Sequence, residues 1–148
     1  MIRGYLLRWD DADGPSSFPD YHTTSEVSLP GDTGADRTII SPRNARRLAS
    51  QLKLDIRSLP KRHQSTGVGG RTDTRTITAS LQMDTFITDP FELTILEPAP
   101  GEMPPIPSLL GRDVIDRFAL FVEAGRDRVF LLDSDEAAMM PLPFEPAP

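Results

Sequence analysis

From residue 74 to residue 83 the chain alternates without a break. Ile77, Ala79, Leu81 and Met83 fall on one side of an extended backbone, and Thr76, Thr78, Ser80 and Gln82 on the other. A helix repeats every 3.6 residues and scatters such a pattern around its axis, whereas a strand repeats every two and sorts it onto two faces. This stretch is therefore a half-buried β-strand, and the rest of the chain has to supply its neighbours. Phe91-Glu92-Leu93-Thr94-Ile95-Leu96 alternates again. Residues 2–9 carry a short apolar, aromatic-bearing run that reads as a first strand. Residues 25–29 and 38–40 read as two brief ones, and residues 119–123 and 128–132 as a hairpin around Gly125.

Helical spacing is confined to two places. Ser41-Pro42 reads as an N-cap with proline at the first helical position. Beyond it Ala45, Leu48, Ala49 and Leu52 share a face, opposite Arg43, Arg46, Arg47 and Gln51, which predicts a moderate helix ending near Leu52. A second, short helix follows Gly111, with Val114, Ile115 and Phe118 inward. Residues 10–20 are acidic and broken by Gly14, Pro15 and Pro19, so they form a surface loop. Residues 97–107 include Pro98, Pro100, Pro104, Pro105 and Pro107 and must be an extended loop. The expectation is one mostly β domain, closed or sandwich-like, over residues 1–133. A proline-rich tail, 134–148, is expected to be poorly ordered.

Composition removes several kinds of chemistry. The chain has no cysteine, so thiol nucleophiles, thiolate metal sites and disulfides are excluded. Its two histidines, His22 and His63, leave little material for a histidine metal site or a Ser-His-Asp triad. No metal or other cofactor is expected. A net charge of −6 argues against wholesale binding to nucleic acid. No segment has the length of a membrane span, and the first residues lack the apolar run of a signal peptide. A cytoplasmic protein with no membrane partner is the default expectation.

The chemistry concentrates in residues 29–41, Leu-Pro-Gly-Asp-Thr-Gly-Ala-Asp-Arg-Thr-Ile-Ile-Ser. Asp32-Thr33-Gly34 places a carboxylate at the mouth of a turn. Gly34, with no Cβ, lets backbone N–H groups come close to the acid, and the Thr33 hydroxyl can brace the loop. The same triplet also reads as an ordinary turn, since Asp and Gly are leading turn residues. Pro30 and Gly31, just before it, both weaken a strand interior. Gly67-Val68-Gly69-Gly70 reads as a β-hairpin tip. It lacks the Lys-Ser/Thr and the following helix of a phosphate loop.

Taken in order, three motifs make the chain similar to the retropepsin-like aspartic proteases in their single-lobed bacterial form. They are Asp32-Thr33-Gly34-Ala35-Asp36 with Thr38-Ile39-Ile40-Ser41, the glycine-rich 67–70, and Leu109-Leu110-Gly111-Arg112-Asp113. The likeness spans roughly residues 27–132. It implies a closed β-barrel of the acid-protease type, with one moderate helix and one short C-terminal helix. It also implies an endopeptidase acting on peptides or proteins, with Asp32 as the catalytic aspartate. Thr33 would brace the two active-site loops of a dimer, and Gly34 would supply backbone donors to the carboxylates. Asp36 would pair with Arg112, and Gly111 would let the Leu109-Leu110 strand pass close behind the loop. Gly67, Val68, Gly69 and Gly70 would form a flap over the substrate.

Hydrolysis by carboxylates needs two of them, one to activate water and one to protonate the scissile carbonyl. The sequence holds one Asp-Thr-Gly and no Asp-Ser-Gly, so two chains must each donate Asp32 across a twofold axis. Two carboxylates about 3 Å apart repel by about 5 kcal/mol at an effective dielectric near 20, so such a pair shares one proton. Two other readings stay open. One is a retropepsin-like fold kept as a peptide-binding or interaction module with weak or no catalysis, which Pro30-Gly31 supports. The other is a β-barrel whose Asp-Thr-Gly is only a turn.

Overall fold

The alternating segment forms the longest strand, β6 (Thr74–Met83), in the middle of a six-stranded sheet. The structure, a computed structural model, describes residues 1–8, 24–62, 65–67, 70–97 and 106–140. The first half of β6 pairs antiparallel with β8 (Phe91–Leu96), from Thr74↔Leu96 to Ala79↔Phe91. Its second half pairs antiparallel with β1 (Ile2–Arg8), which in turn pairs with β2 (Thr24–Leu29). A two-residue strand, β3 (Ile39–Ile40), lies parallel to β8, and β7 (Phe86–Ile87) folds back on the end of β6. Two small hairpins stand apart: β4 (Ser65–Gly67) with β5 (Gly70–Thr72), and β9 (Ala119–Glu123) with β10 (Arg128–Leu132).

The fold is thus mostly β, as expected, with a curled half-barrel sheet and few helices. Its ladder does not run round as a closed ring: among the described residues the path has two ends, β2 and β3. What spans them is the dipeptide Leu109-Leu110, through isolated bridges from Leu110 to Gly31 and from Leu109 to Ile39. Helix α1 (Pro42–Gln51) packs on β2 and β8 and buries Ala45 and Leu48. With Leu52 these residues join Leu6, Val27, Leu29, Ile77, Ala79, Leu81, Leu93, Ile95, Leu110 and Val114 in one core.

Two features depart from the sequence reading. The polar side of β6 is not a solvent face, because Thr74, Thr76 and Ser80 are buried along with Ile77, Ala79 and Leu81, and only Thr78 is exposed. Alternation reports polarity, not accessibility; short hydroxyl side chains can be buried where they find hydrogen-bond partners. The segment from residue 134, expected to be a poorly ordered tail, begins with a helix, α3 (Ser134–Met139), opened by a capping box. The Asp133 carboxylate accepts from the backbone N–H groups of Asp135 and Glu136, and the Glu136 carboxylate accepts from the Asp133 N–H. The tail prolines, 141–148, lie outside the described residues. So do the acidic loop 10–20 and most of the proline-rich segment 97–107.

Helix α1 keeps its expected start, with Pro42 in its first turn and the Ser41 hydroxyl accepting from Asn44 N. It ends at Leu52, and Lys53 then turns into the left-handed region at φ 50°. Glycine adopts that conformation without the Cβ clash that lysine meets there. Lys53→Gly is therefore expected to raise stability by about 0.5–1 kcal/mol, the relieved strain outweighing glycine's greater freedom when unfolded. Urea unfolding of the two proteins measures this, and a less stable variant would show that Lys53 is not strained.

Candidate active site

Asp32 emerges just beyond the end of β2, on a loop clamped at both arms by Leu109-Leu110. Leu110 N donates to Pro30 O at 2.9 Å, and Asp32 N donates to Leu110 O at 2.9 Å. This pairing asks proline only for its carbonyl, so the missing N–H of Pro30 costs no bond. On the other arm Leu109 and Ile39 exchange both backbone bonds, at 2.8 and 2.9 Å. Between the arms the chain folds back through Ala35 N→Asp32 O at 3.1 Å, and Gly34 N donates to Asp32 Oδ1 at 2.8 Å. A Cβ built on Gly34 would stand 3.1 Å from that same carboxylate oxygen, so a glycine here lets the donor approach.

The floor of the loop is the start of α2 (Arg112–Ile115). Its first N–H groups have no partner within the helix. They donate instead to loop carbonyls: Arg112 N to Ala35 O at 2.8 Å and Asp113 N to Asp36 O at 3.2 Å. In return the Asp113 carboxylate accepts from Thr38 N at 2.9 Å and from Thr38 Oγ1 at 2.7 Å. Thr38 Oγ1 accepts from Gly111 N at 3.1 Å, so a fully buried hydroxyl is both donor and acceptor. Asp113 also sits in the first turn of its helix, where negative charge is favoured. Upstream, the buried Ser108 hydroxyl accepts from Ser41 N at 2.9 Å and Asn44 Nδ2 at 2.7 Å, joining the start of α1 to the same segment.

The sequence-predicted residues divide accordingly. Asp32, Gly34, Asp36, Gly111 and Arg112 come together in this unit, and Thr33 stands exposed beside Asp32. The expected Asp36–Arg112 pair is loose: the groups are 3.9 Å apart and Asp36 is 91% exposed, while Arg112 also reaches Asp116 at 3.2 Å. An exposed pair of that kind adds little. The strong tie is Thr38–Asp113, which the sequence reading passed over. Its one signal was a threonine between Arg37 and Ile39-Ile40, a polar residue at the mouth of an apolar strand.

In the hairpin β4–β5, Gly67 pairs with Gly70, and Val68 and Gly69 lie outside the described residues. The stem leading to it is linked to the loop through Glu92, whose carboxylate receives Arg37 Nη1 at 2.8 Å and also Arg62 Nη2. Among the described residues no cluster of three or more His, Cys, Asp or Glu could hold a metal ion. Chemically, Asp32 is a half-buried carboxylate holding one backbone donor, and an ionised carboxylate has lone pairs left to bind and activate a water. A single carboxylate cannot be base and acid toward one substrate in the same step.

Comparison with known proteins places these features in a group. The family model described as aspartyl protease matches residues 24–114. The crystal structure of a retropepsin-like aspartic protease from Rickettsia conorii has the same fold, with a TM-score of 0.53 at 17% identity. That match covers 89% of this chain and 99% of the other. No curated protein matches the chain.

Gly111 is the point where the loop and its floor touch. A Cβ there would lie 2.2 Å from Arg37 C, 2.4 Å from Arg37 O and 2.7 Å from Thr38 N, all backbone atoms that cannot move aside. Gly111→Ala is expected to cost about 3 kcal/mol or more. Gly31→Ala, whose Cβ would meet only Ile115 and Ile2 side chains at 3.7 and 3.8 Å, is expected to change stability by less than about 0.5 kcal/mol. Denaturant titration of both variants checks the contrast, and equal losses would contradict it.

Proposed function

The chain belongs to the aspartyl protease family and is an aspartic-type peptidase, and we propose that it is an endopeptidase working as a homodimer with one Asp32 from each chain. The observation that carries this reading is the half-site itself. One Asp-Thr-Gly carboxylate is held by Gly34 N and the clamped loop, in a sequence with no second such turn. In the pair, repulsion between carboxylates about 3 Å apart keeps one proton shared between them, as is known of aspartic-protease dyads. The ionised member takes a proton from a water as it attacks the peptide carbonyl. The protonated member gives its proton to the carbonyl oxygen. Identical residues thereby play base and acid.

Supporting roles follow from position. Thr33, exposed beside Asp32, is assigned to brace one loop against the partner's. The β4–β5 hairpin, with Gly67, Val68, Gly69 and Gly70, is assigned to cover the peptide. Pro30-Gly31 supports an active site as well as an apolar pair does, because the backbone bonds on both sides of Gly31 are made. That weakens the case for a binding module without catalysis.

Asp32→Asn is expected to lower peptide cleavage by roughly 10³-fold or more while leaving fold and dimer intact. A peptide-library digest, with sizing of both proteins, measures it, and full activity in the variant would sink the reading. Cleavage should also trace a bell against pH, favouring mildly acidic conditions. It falls on the acid side as the base is protonated and on the alkaline side as the shared proton is lost. A rate that climbs steadily into alkaline solution would contradict a shared-proton pair.

A further inference from the structure

The turn between β6 and β7 faces the start of β1, the residues after α2 and the start of α3 across a cavity of about 290 Å³. Among the described residues, none of the Asp32 loop or of the β4–β5 hairpin lines it. Its walls are apolar: Ile2, Met83, Phe86, Phe118 and Leu131. Four of these pack against the core, and Phe86 meets Phe118 edge to face with ring centroids 4.8 Å apart. The walls are therefore held by the fold itself, which spares a ligand the cost of ordering them.

The rim carries charges of both signs, Arg3 with Asp84, Asp133 and Glu136. Among the described residues Arg3 pairs with none of these acids, and the Asp84 carboxylate enters no ion pair. Asp133 spends Oδ1 on the N–H groups of Asp135 and Glu136, and Glu136 spends Oε2 on the Asp133 N–H. The first N–H groups of α3 are thereby satisfied, and each of the two carboxylates keeps an oxygen without a bond. Opposite charges close on each other when they can reach. Here a strand, a turn and a helix hold them apart around one cavity. A simple anion drawn to Arg3 would face the acids, and a simple cation drawn to the acids would face Arg3. A molecule with both charges beside an apolar body suits every group.

We propose that this cavity binds a free apolar α-amino acid. Its ammonium is held among Asp84, Asp133 and Glu136, its carboxylate by the Arg3 guanidinium, and its side chain among Met83, Phe86 and Phe118. Size agrees: at about 30 Å³ per water, 290 Å³ has room for about ten non-hydrogen atoms, near the size of leucine or methionine. A peptide end offers one of the two charges and not the other, so the free amino acid is the match. The site uses no residue of the paired-Asp32 reading and stands apart from it. One wall does adjoin that loop, since Ile2 Cδ1 lies 3.8 Å from where a Cβ on Gly31 would stand.

The test titrates the full chain with L-leucine, followed by amide NMR shifts. L-leucine amide and N-acetyl-L-leucine serve as probes that each lack one charge. Leucine is expected to saturate with a Kd on the order of 0.1–1 mM, and either probe to bind about 10-fold more weakly or worse. The shifts should centre on residues 83–86, 118 and 131–136. Arg3→Gln should weaken leucine about 10-fold and leave leucine amide as in the wild type. Asp84→Asn should weaken leucine and leave N-acetyl-L-leucine unchanged. Both residues are exposed, and urea unfolding confirms that the variants stay folded. No saturation by leucine below about 20 mM overturns the site. So do leucine amide binding as tightly as leucine, an Arg3→Gln protein that binds leucine like the wild type, and shifts centred on the Asp32 loop.

Discussion

The structure turns on one exchange of hydrogen bonds between a strand entrance and a helix start, centred on the buried Thr38. Thr38 gives its N–H and its hydroxyl proton to Asp113, and its oxygen receives Gly111 N. The loop carbonyls of Ala35 and Asp36 receive the first N–H groups of the same helix. Thr38 and Gly111 are buried, so their donors have no water to turn to. An unpaired buried donor costs about 1–3 kcal/mol, so the arrangement is held as much by the penalty for breaking it as by the bonds themselves. Around it the other ties fall into place. Leu109-Leu110 clamps both arms of the Asp32 loop and spans the two ends of the sheet, and Ser108 fastens the start of α1. The Asp32 carboxylate is thereby set on a firmly bonded base, although its own loop is short and partly exposed.

Much of this was legible in the residues. The alternation at 74–83 marked the central strand, and Ser41-Pro42 marked the start of α1. Asp32-Thr33-Gly34 marked the acid and its backbone donor. What was not legible depends on contacts between segments far apart in the chain. Nothing local in Thr38 or Asp113 says that they meet across 75 residues, whereas the charges of Asp36 and Arg112 advertise a pair that is loose in the fold. Charge complementarity suggests a partner wherever opposite signs occur, but burial decides which pair matters, and burial is a property of the folded chain. The covered polar face of β6 is hidden in the sequence for the same reason. The helix after Asp133 is a different case. Its capping box was written in Asp133 and Glu136, and the prolines beyond it outweighed that signal.

A curled sheet delivers Asp32 to its edge, Leu109-Leu110 clamps the loop, and the short helix that follows forms its floor. Pro30 and Gly31 fit the same logic. The clamp reads carbonyl oxygens and the Asp32 N–H, so a proline and a glycine serve where side chains are not asked to hold the strand.

The account stands or falls on whether Thr38 and Asp113 act as one unit, and a double-mutant cycle measures that directly. Thr38→Val, Asp113→Ala and the double variant, unfolded in urea beside the wild type, give the coupling between the two sites. The expected result is a coupling of about 1–3 kcal/mol, with the double variant losing far less than the sum of the single losses. Losses that add to within about 0.5 kcal/mol would contradict the account, because they would mean that the loop holding Asp32 does not depend on this contact.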